Sequence, residues 1–176
     1  MKFVKRLLAV LLVLLILILT GGYFWLQNTK PIYDGSLTLK GLKDKTRIIY
    51  EEFGVPHIYA SNAHDAYFAL GYAQAQERLF QMVMIRRATS GRLSEILGKE
   101  FIGIDKTMRT LSIRKSAEKN AEYFFKNIDK PYKHQALAYL EGINSFIENG
   151  NLPVEFTLIG FKPNKFTPAD IYTAIG

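Results

Sequence analysis

The sequence predicts an α+β fold that is mostly helical and is preceded by a transmembrane anchor or signal segment. Three observations predict it. Residues 7–26 form an apolar run without a single charge. Between residues 46 and 60, two β-rich runs flank a turn containing Gly54 and Pro56. From Ser61 onward, apolar residues recur at helical spacing, punctuated by Gly, Pro and capping side chains.

Residues 1–6 form a basic leader with Lys2, Lys5 and Arg6. The run 7–26 is long enough to cross a hydrocarbon core, and the leading charges keep the N-terminus cytoplasmic. A cleaved signal peptide is the other reading, with an apolar core over 7–19 and Thr20-Gly21-Gly22 at the cleavage position. That site lacks the A-x-A pattern, and Tyr23, Phe24 and Trp25 extend the apolar run with residues suited to a membrane interface. An uncleaved anchor is therefore favoured, and both readings place the rest of the chain on the exported side, periplasmic or extracellular. Residues 27–36 read as a linker, with Pro31 and Asp34-Gly35 as breakers.

The body, residues 37–176, begins with Leu37-Thr38-Leu39, which alternates like a small strand. Residues 46–50 and 57–60 read as two strands joined by a turn, with Gly54 free to take positive φ and Pro56 opening the second strand. Asn62 with Asp65 three residues later resembles a capping box. The helix that follows runs to about Thr89 and stops at Ser90-Gly91. Its face holds Ala69, Tyr72, Leu79, Phe80 and Val83, but apolar residues occur nearly all round, as in a buried helix. Gln74, Arg78 and Gln81 form a narrow polar stripe on it, expected to meet other polar parts of the protein. Gly71 costs about 1 kcal/mol against Ala in a helix, which suggests close packing with another element. Residues 92–97 read as a short helical turn and 106–127 as one charged helix. Pro131 starts the next helix, carried by Ala136, Leu137, Leu140, Ile143 and Ile147, and residues 149–151 stop it. Residues 152–156 lead into a loop region at 160–163, and Thr167-Pro168 reads as cap and first position of a last helix.

Charge and composition exclude several functions. The net charge is +7, but four Lys/Arg and no Asp/Glu fall in the first 30 residues; the remainder holds 19 basic and 16 acidic residues without a clustered stripe. Nucleic-acid binding is therefore not expected. The absence of cysteine excludes a disulfide framework, a thiol nucleophile and Cys-ligated zinc. His57 has no Ser or Asp at a recognisable triad spacing and reads as a structural hydrogen-bonding residue. His64 and His134 read as surface residues. Glu51 and Glu52 are adjacent on a strand and point to opposite faces. Asp105, Glu118 and Glu122 are spaced to support helix faces, not a metal. Arg86, Arg87 and Arg92 would suit a carboxylate or phosphate, but pairing with Glu77, Glu95 or a part of the protein beyond these residues is the preferred reading.

Several ordered blocks nevertheless carry a resemblance. They are Gly54-Val55-Pro56-His57, the block from Gly71, Tyr72, Gln74 and Gln76 through Arg78 to Gln81, then Arg86-Arg87 and Ser90-Gly91-Arg92. Supporting blocks surround Asn144, Leu152-Pro153-Val154-Glu155-Phe156 and Lys162-Pro163 to Thr167-Pro168-Ala169-Asp170. In order and spacing the chain resembles the N-terminal, α-chain region of the penicillin acylase family, the N-terminal-nucleophile amidases. The resemblance implies an αββα sandwich assembled from a self-cleaving precursor, a β chain of the same precursor as partner, and an N-acyl amide substrate. It implies that Gly54, Pro56, His57, Gly71, Tyr72, Gln74, Gln76, Arg78, Gln81, Arg86, Arg87, Gly91 and Asn144 are scaffold. The catalytic serine is expected beyond Gly176, as are the pocket residues and the calcium ligand of some members. On this expectation the 176 residues are a truncated precursor, inactive alone and exposing much apolar surface from the helix around 71–85. The alternative is a non-catalytic, membrane-tethered interaction module.

Overall fold

The apolar N-terminal run forms one helix, α1 (Lys2–Gln27), with no residue buried. At about 1.5 Å per residue it is about 39 Å long, and by length and composition it is fit to cross a membrane. This computed structural model describes residues 2–127 and 129–173. After α1 the chain runs irregularly over the body to residue 46. The strand expected at Leu37–Leu39 does not form. Among the described residues the sheet has two strands, and neither pairs with this segment; Leu39 packs on the core instead. Alternation alone makes no strand without a ladder partner.

The expected hairpin is present. Strands β1 (Arg47–Tyr50) and β2 (Pro56–Tyr59) pair antiparallel, with Arg47 opposite Tyr59 and Tyr50 opposite Pro56. Gly54 takes φ 75° in the turn, a value an L side chain rarely adopts.

Helix α2 (Ala63–Thr89) is capped by Asn62, whose side chain accepts from the Asp65 N–H at 2.9 Å. Its backbone leaves helical values at Arg78 (φ −138°, ψ 17°) and resumes. Gly91, at φ 63°, lies just past its end. Helix α3 (Ser94–Leu97) and a 3-10 turn (Lys99–Phe101) lead into α4 (Ile102–Leu111) and α5 (Ile113–Asn127). The single helix expected over 106–127 is thus two. Ser112 breaks it in the left-handed conformation at φ 57°. The break lets α5 turn onto α8 (Pro168–Thr173), where Arg114 meets Asp170.

Helix α6 (Pro131–Asn149) begins at Pro131 as expected and ends at Gly150. Before the loop at 160–163, where the sequence signalled no element, lies a short helix, α7 (Val154–Ile159), closed by Gly160 at φ 80°. In front of α8, the Asp170 carboxylate reaches back to the Thr167 N–H at 2.6 Å, the reciprocal half of a capping box.

The centre of the body is the crossing of α2 and α6. A Cβ on Gly71 would overlap the Tyr139 carbonyl, and one on Gly142 would overlap the Phe68 carbonyl. Each helix presents its glycine to the other's backbone, so the axes approach closely. Around this contact lie Tyr72, Ala75, Leu79 and Val83 from α2, Leu140, Ile143 and Phe146 from α6, and Phe156 and Phe166. The large open apolar face expected on α2 is therefore mostly absent, because α6 covers it. The open side carries Gln74, Glu77, Arg78 and Gln81, with Leu70 and Ile85 partly exposed at its margins.

Candidate functional site

Three polar clusters organise the body, each built on a buried carboxylate. At the start of α2, Asp65 accepts from the backbone N–H groups of Lys43 at 3.0 Å and Asp44 at 2.8 Å, and from Asn62 Nδ2 at 2.8 Å. His64 Nδ1 lies 3.0 Å from Asp65 and its Nε2 lies 3.5 Å from Glu141. Burial pushes the Asp65 carboxyl up, but these hydrogen bonds outweigh it and hold it well below the usual carboxylate range. His64 is thus no bland surface residue, as its sequence context suggested. It sits between Asp65, its neighbour in the chain, and Glu141, which the packing of α6 brings to it.

The second carboxylate is Asp105 on α4. It accepts from the N–H groups of Leu93 and Ser94, both at 2.9 Å, and from the Ser94 hydroxyl at 2.5 Å. Burial opposes ionisation here too, and the Ser94 and Leu93 donors win, lowering its pKa. Asp105 therefore satisfies the start of α3 from across the fold, not the surface of its own helix as the sequence suggested.

The third cluster joins the ends of α2, α5 and α8. Asp170, with 2% of its side chain exposed, receives Arg114 Nη1 at 2.5 Å, and Arg86 Nη1 lies 3.7 Å away. Arg86 also donates to the carbonyls of Asn164 and Lys165 and stacks over Phe166 at 4.2 Å. Burial lowers the Arg86 pKa, an effect that Asp170 partly offsets. Burial works the same way on Arg114, but its bonds to Glu118 and Asp170 prevail and raise it. Beside this network, Glu95 binds Arg87 at 2.9 Å and Arg92 at 2.8 Å. The cavity between these groups measures about 340 Å³. Ion pairing with Glu95 is the reading preferred from sequence. Glu77 is not the partner: it accepts from the Tyr33 hydroxyl at 3.2 Å. Asp170, far away in sequence, is.

A larger cleft of about 530 Å³ lies between the segment 32–48 and α2, with Tyr50, Phe68, Tyr72 and Gln76 among its walls. Gln76 is buried and donates to the Tyr50 hydroxyl at 3.3 Å. Burial and the nearby Glu77 push the Tyr50 phenol up to about 12, so it stays neutral and can serve as donor or acceptor at physiological pH.

The other residues singled out in the sequence are dispersed. His57 Nε2 lies 3.1 Å from Glu51 across the hairpin turn, with Gly54 and Pro56 beside it. Gln74 accepts from the Tyr139 hydroxyl at 2.7 Å, tying α2 to α6. Arg78 and Gln81 are both exposed and 3.5 Å apart. Asn144 clasps the Phe166 backbone twice, donating to its carbonyl at 2.9 Å and accepting from its N–H at 2.7 Å. Gly91 allows the close approach of Arg109, whose Nε donates to the Gly91 carbonyl at 2.8 Å.

Sequence reasoning missed the burial of Asp65, Asp105 and Asp170 and the role of Arg114. For Asp65 and Asp170 a signal existed, since each stands three residues after a helix cap. Chemically, these clusters hold elements together. Each histidine pairs with carboxylates, and among the described residues no hydrogen bond joins a Ser or Thr hydroxyl to a histidine. Among the described residues, no group of three or more His, Asp or Glu is placed to hold a metal ion.

Comparison with known proteins supplies what the geometry does not. The penicillin amidase family model matches residues 45–176. The penicillin acylase 2 proenzyme of Pseudomonas sp. (strain SE83) is 38% identical over 144 residues, covering 81% of this chain and 18% of that protein. The acyl-homoserine lactone acylase QuiP of Pseudomonas fluorescens (strain Pf0-1) is 34% identical over 158 residues, covering 88% of this chain and 19% of that protein. Penicillin G acylase of Escherichia coli is 36% identical over 132 residues, covering 71% of this chain and 15% of that protein. The chain thus spans less than a fifth of the length of these curated relatives. The solved structure of thermostable penicillin G acylase from Alcaligenes faecalis superposes with a TM-score of 0.64 at 27% identity, over 75% of this chain and 71% of that one. The match runs from the hairpin through the α2–α6 crossing to α8, and on that ground the chain belongs to the penicillin amidase family.

Proposed function

We propose that this chain supplies the N-terminal helical part of an acylase that hydrolyses the linear amide bond of N-acyl compounds: penicillins, related β-lactams or acyl-homoserine lactones. The observation that carries the proposal is the family match over residues 45–176, shared with relatives of both substrate types. In this reading a serine outside these residues becomes a new N-terminus when the precursor cuts itself, and the completed enzyme is an αββα sandwich. The serine's own α-amino group, which titrates near neutral pH, acts as its general base, and donors of the β part stabilise the oxyanion. The present chain contributes the α2–α6 framework on which that part is assembled. Helix α1 stays in the membrane and holds the body on the exported side. A calcium ion belongs to some members of the family by resemblance. The described residues offer no ligand set for one, and no step here uses it.

The test is to express the complete reading frame that contains this sequence and incubate it with penicillin G and with acyl-homoserine lactones of several chain lengths. Release of free amine should follow, and a serine-directed sulfonyl fluoride should abolish it. An intact, folded product that releases no amine from any of these probes would overturn the amidase reading in favour of a tethered, non-catalytic module.

A further inference from the structure

The single turn and a half of α7 buries one side and leaves the other bare. Phe156 is enclosed between Phe80 and Phe161, with ring centroids 5.5 and 5.2 Å away. Two residues on, about 200° round the helix, Leu158 is 72% exposed. Among the described residues that exceeds every Val, Leu and Ile of α1 itself, where Ile18 reaches 69%. Ile159 beside it is partly exposed, at 36%, and the left-handed Gly160 turns the chain back at the patch.

The patch lies close to the outer end of α1. The last turn of that helix continues through Asn28, Thr29 and Lys30, whose N–H groups bond to Trp25, Leu26 and Gln27 at 3.2, 3.2 and 3.3 Å. The Lys30 carbonyl then accepts from Asn151 Nδ2 at 3.3 Å. From Asn151 to Val154 the chain spans at most about 10 Å, and four helical steps to Leu158 add about 6 Å. The leash is short as well as tied: Tyr33 packs edge-on against Tyr50 at 4.9 Å and bonds Glu77. Tyr23, Phe24 and Trp25 occupy the outer turns of α1, where aromatic rings settle at headgroup level. Along the chain Lys162 follows the patch by three residues and Glu155 precedes it by three, so the stretch carries no net charge against anionic headgroups.

We infer that α7 is a second membrane contact: Leu158 and Ile159 enter the headgroup–acyl boundary of the bilayer that holds α1, and the body lies on the membrane by its α7 side. The inference rests on the reading of α1 as a retained anchor. A lipid surface is the occupant because the Lys30–Asn151 bond brings this patch, and not the far end of α6, to the place where the anchor leaves the bilayer.

These 176 residues hold no cysteine, so once any cysteine in the remaining part of the protein has been replaced by serine, single labels can be placed cleanly. The complete protein carrying Leu158→Cys, and separately His134→Cys at the other end of α6, is labelled with an environment-sensitive fluorophore. Each is reconstituted in phosphatidylethanolamine–phosphatidylglycerol vesicles containing a spin-labelled lipid. The label at 158 should shift to the blue and lose most of its emission to the lipid quencher, while the label at 134 should be unaffected. No quenching at 158 in a protein that resists carbonate extraction would overturn the inference and leave the anchor standing. A label at 158 shielded from aqueous iodide yet untouched by the spin-labelled lipid would overturn it in favour of cover by the protein's own remaining part. N-terminal sequencing that starts after Leu19 would remove the anchor, and the docking inference with it.

Discussion

Replacing Gly71 with alanine tests the central contact of the body. The new Cβ would overlap the Tyr139 carbonyl oxygen and lie 3.2 Å from the Ile143 nitrogen. Both obstacles are backbone, so no side chain can swing aside and the helix axes must separate. Overpacking costs about 1–3 kcal/mol, and a backbone collision belongs at the upper end, about 3. Alanine returns about 1 kcal/mol of helix propensity. The net loss is about 2 kcal/mol, or about thirty-fold in an opening equilibrium. Native-state hydrogen exchange read by mass spectrometry on the complete protein should show that acceleration in peptides from both α2 and α6. Gly142→Ala should behave alike, because its Cβ meets the Phe68 carbonyl from the other side. The double variant should lose less than the sum, since one separation relieves both collisions. Unchanged or slower exchange in Gly71→Ala would refute the reasoning, and so would an effect confined to one helix.

Asp65→Asn should cost about 2 kcal/mol, because an amide cannot accept from Lys43, Asp44 and Asn62 as a carboxylate does. Its sign with pH follows from the lowered pKa. The stabilisation is present above the unfolded carboxylate value, about 3.9, and fades as pH falls toward the lower folded value. Thermal melts between pH 7 and 3 should therefore fall less steeply for the variant than for the parent. Arg114→Ala should cost about 1–2 kcal/mol, less than the full loss of a buried pair, since Asp170 keeps Arg86 and Thr167; exchange should quicken first in α5 and α8. Ser112→Gly removes a left-handed strain of about 1–2 kcal/mol and adds about 0.5–1 kcal/mol of chain entropy. A melting temperature raised slightly, with no change in helix content, is the expected result.

Much of the fold was legible because its signals are local. Asn62, Gly91, Pro131 and Pro168 each act within one turn, and the elements they bound are where the sequence puts them. The hairpin was legible because Gly54 and Pro56 restrict the backbone directly. What the sequence concealed depends on distant partners. Ser112 sits in a run of good helix formers, and only the packing of α5 on α8 with the Arg114–Asp170 bond explains why it turns left-handed. Helix α7 is six residues long, too short for periodicity to reveal. Leu37–Leu39 has strand composition and no strand beside it. Of the site, the Arg87 and Arg92 pairs with Glu95 were legible from proximity along the chain. Asp105 was not, because its donors at Leu93 and Ser94 approach from another element. The family itself was legible from ordered blocks such as 71–81, whose chemistry of assembly no single residue reveals.

The clasp at the start of α2 has a consequence for how the protein tolerates change. Lys43 and Asp44 are held by Asp65, and Asp44 in turn receives Ser61 at 2.8 Å and Asn62 at 3.2 Å. Residues 45–60, the whole hairpin, therefore hang from a closed ring whose two ends are pinned to each other and to the core. Lengthening a pinned loop to twice its size costs only about 0.6 kcal/mol in closure entropy. Its tip at Phe53-Gly54, where Phe53 is 85% exposed, is the place to splice in a peptide tag or a reporter domain, because the ring and the Gln76–Tyr50 bond hold the hairpin at its base, away from the graft.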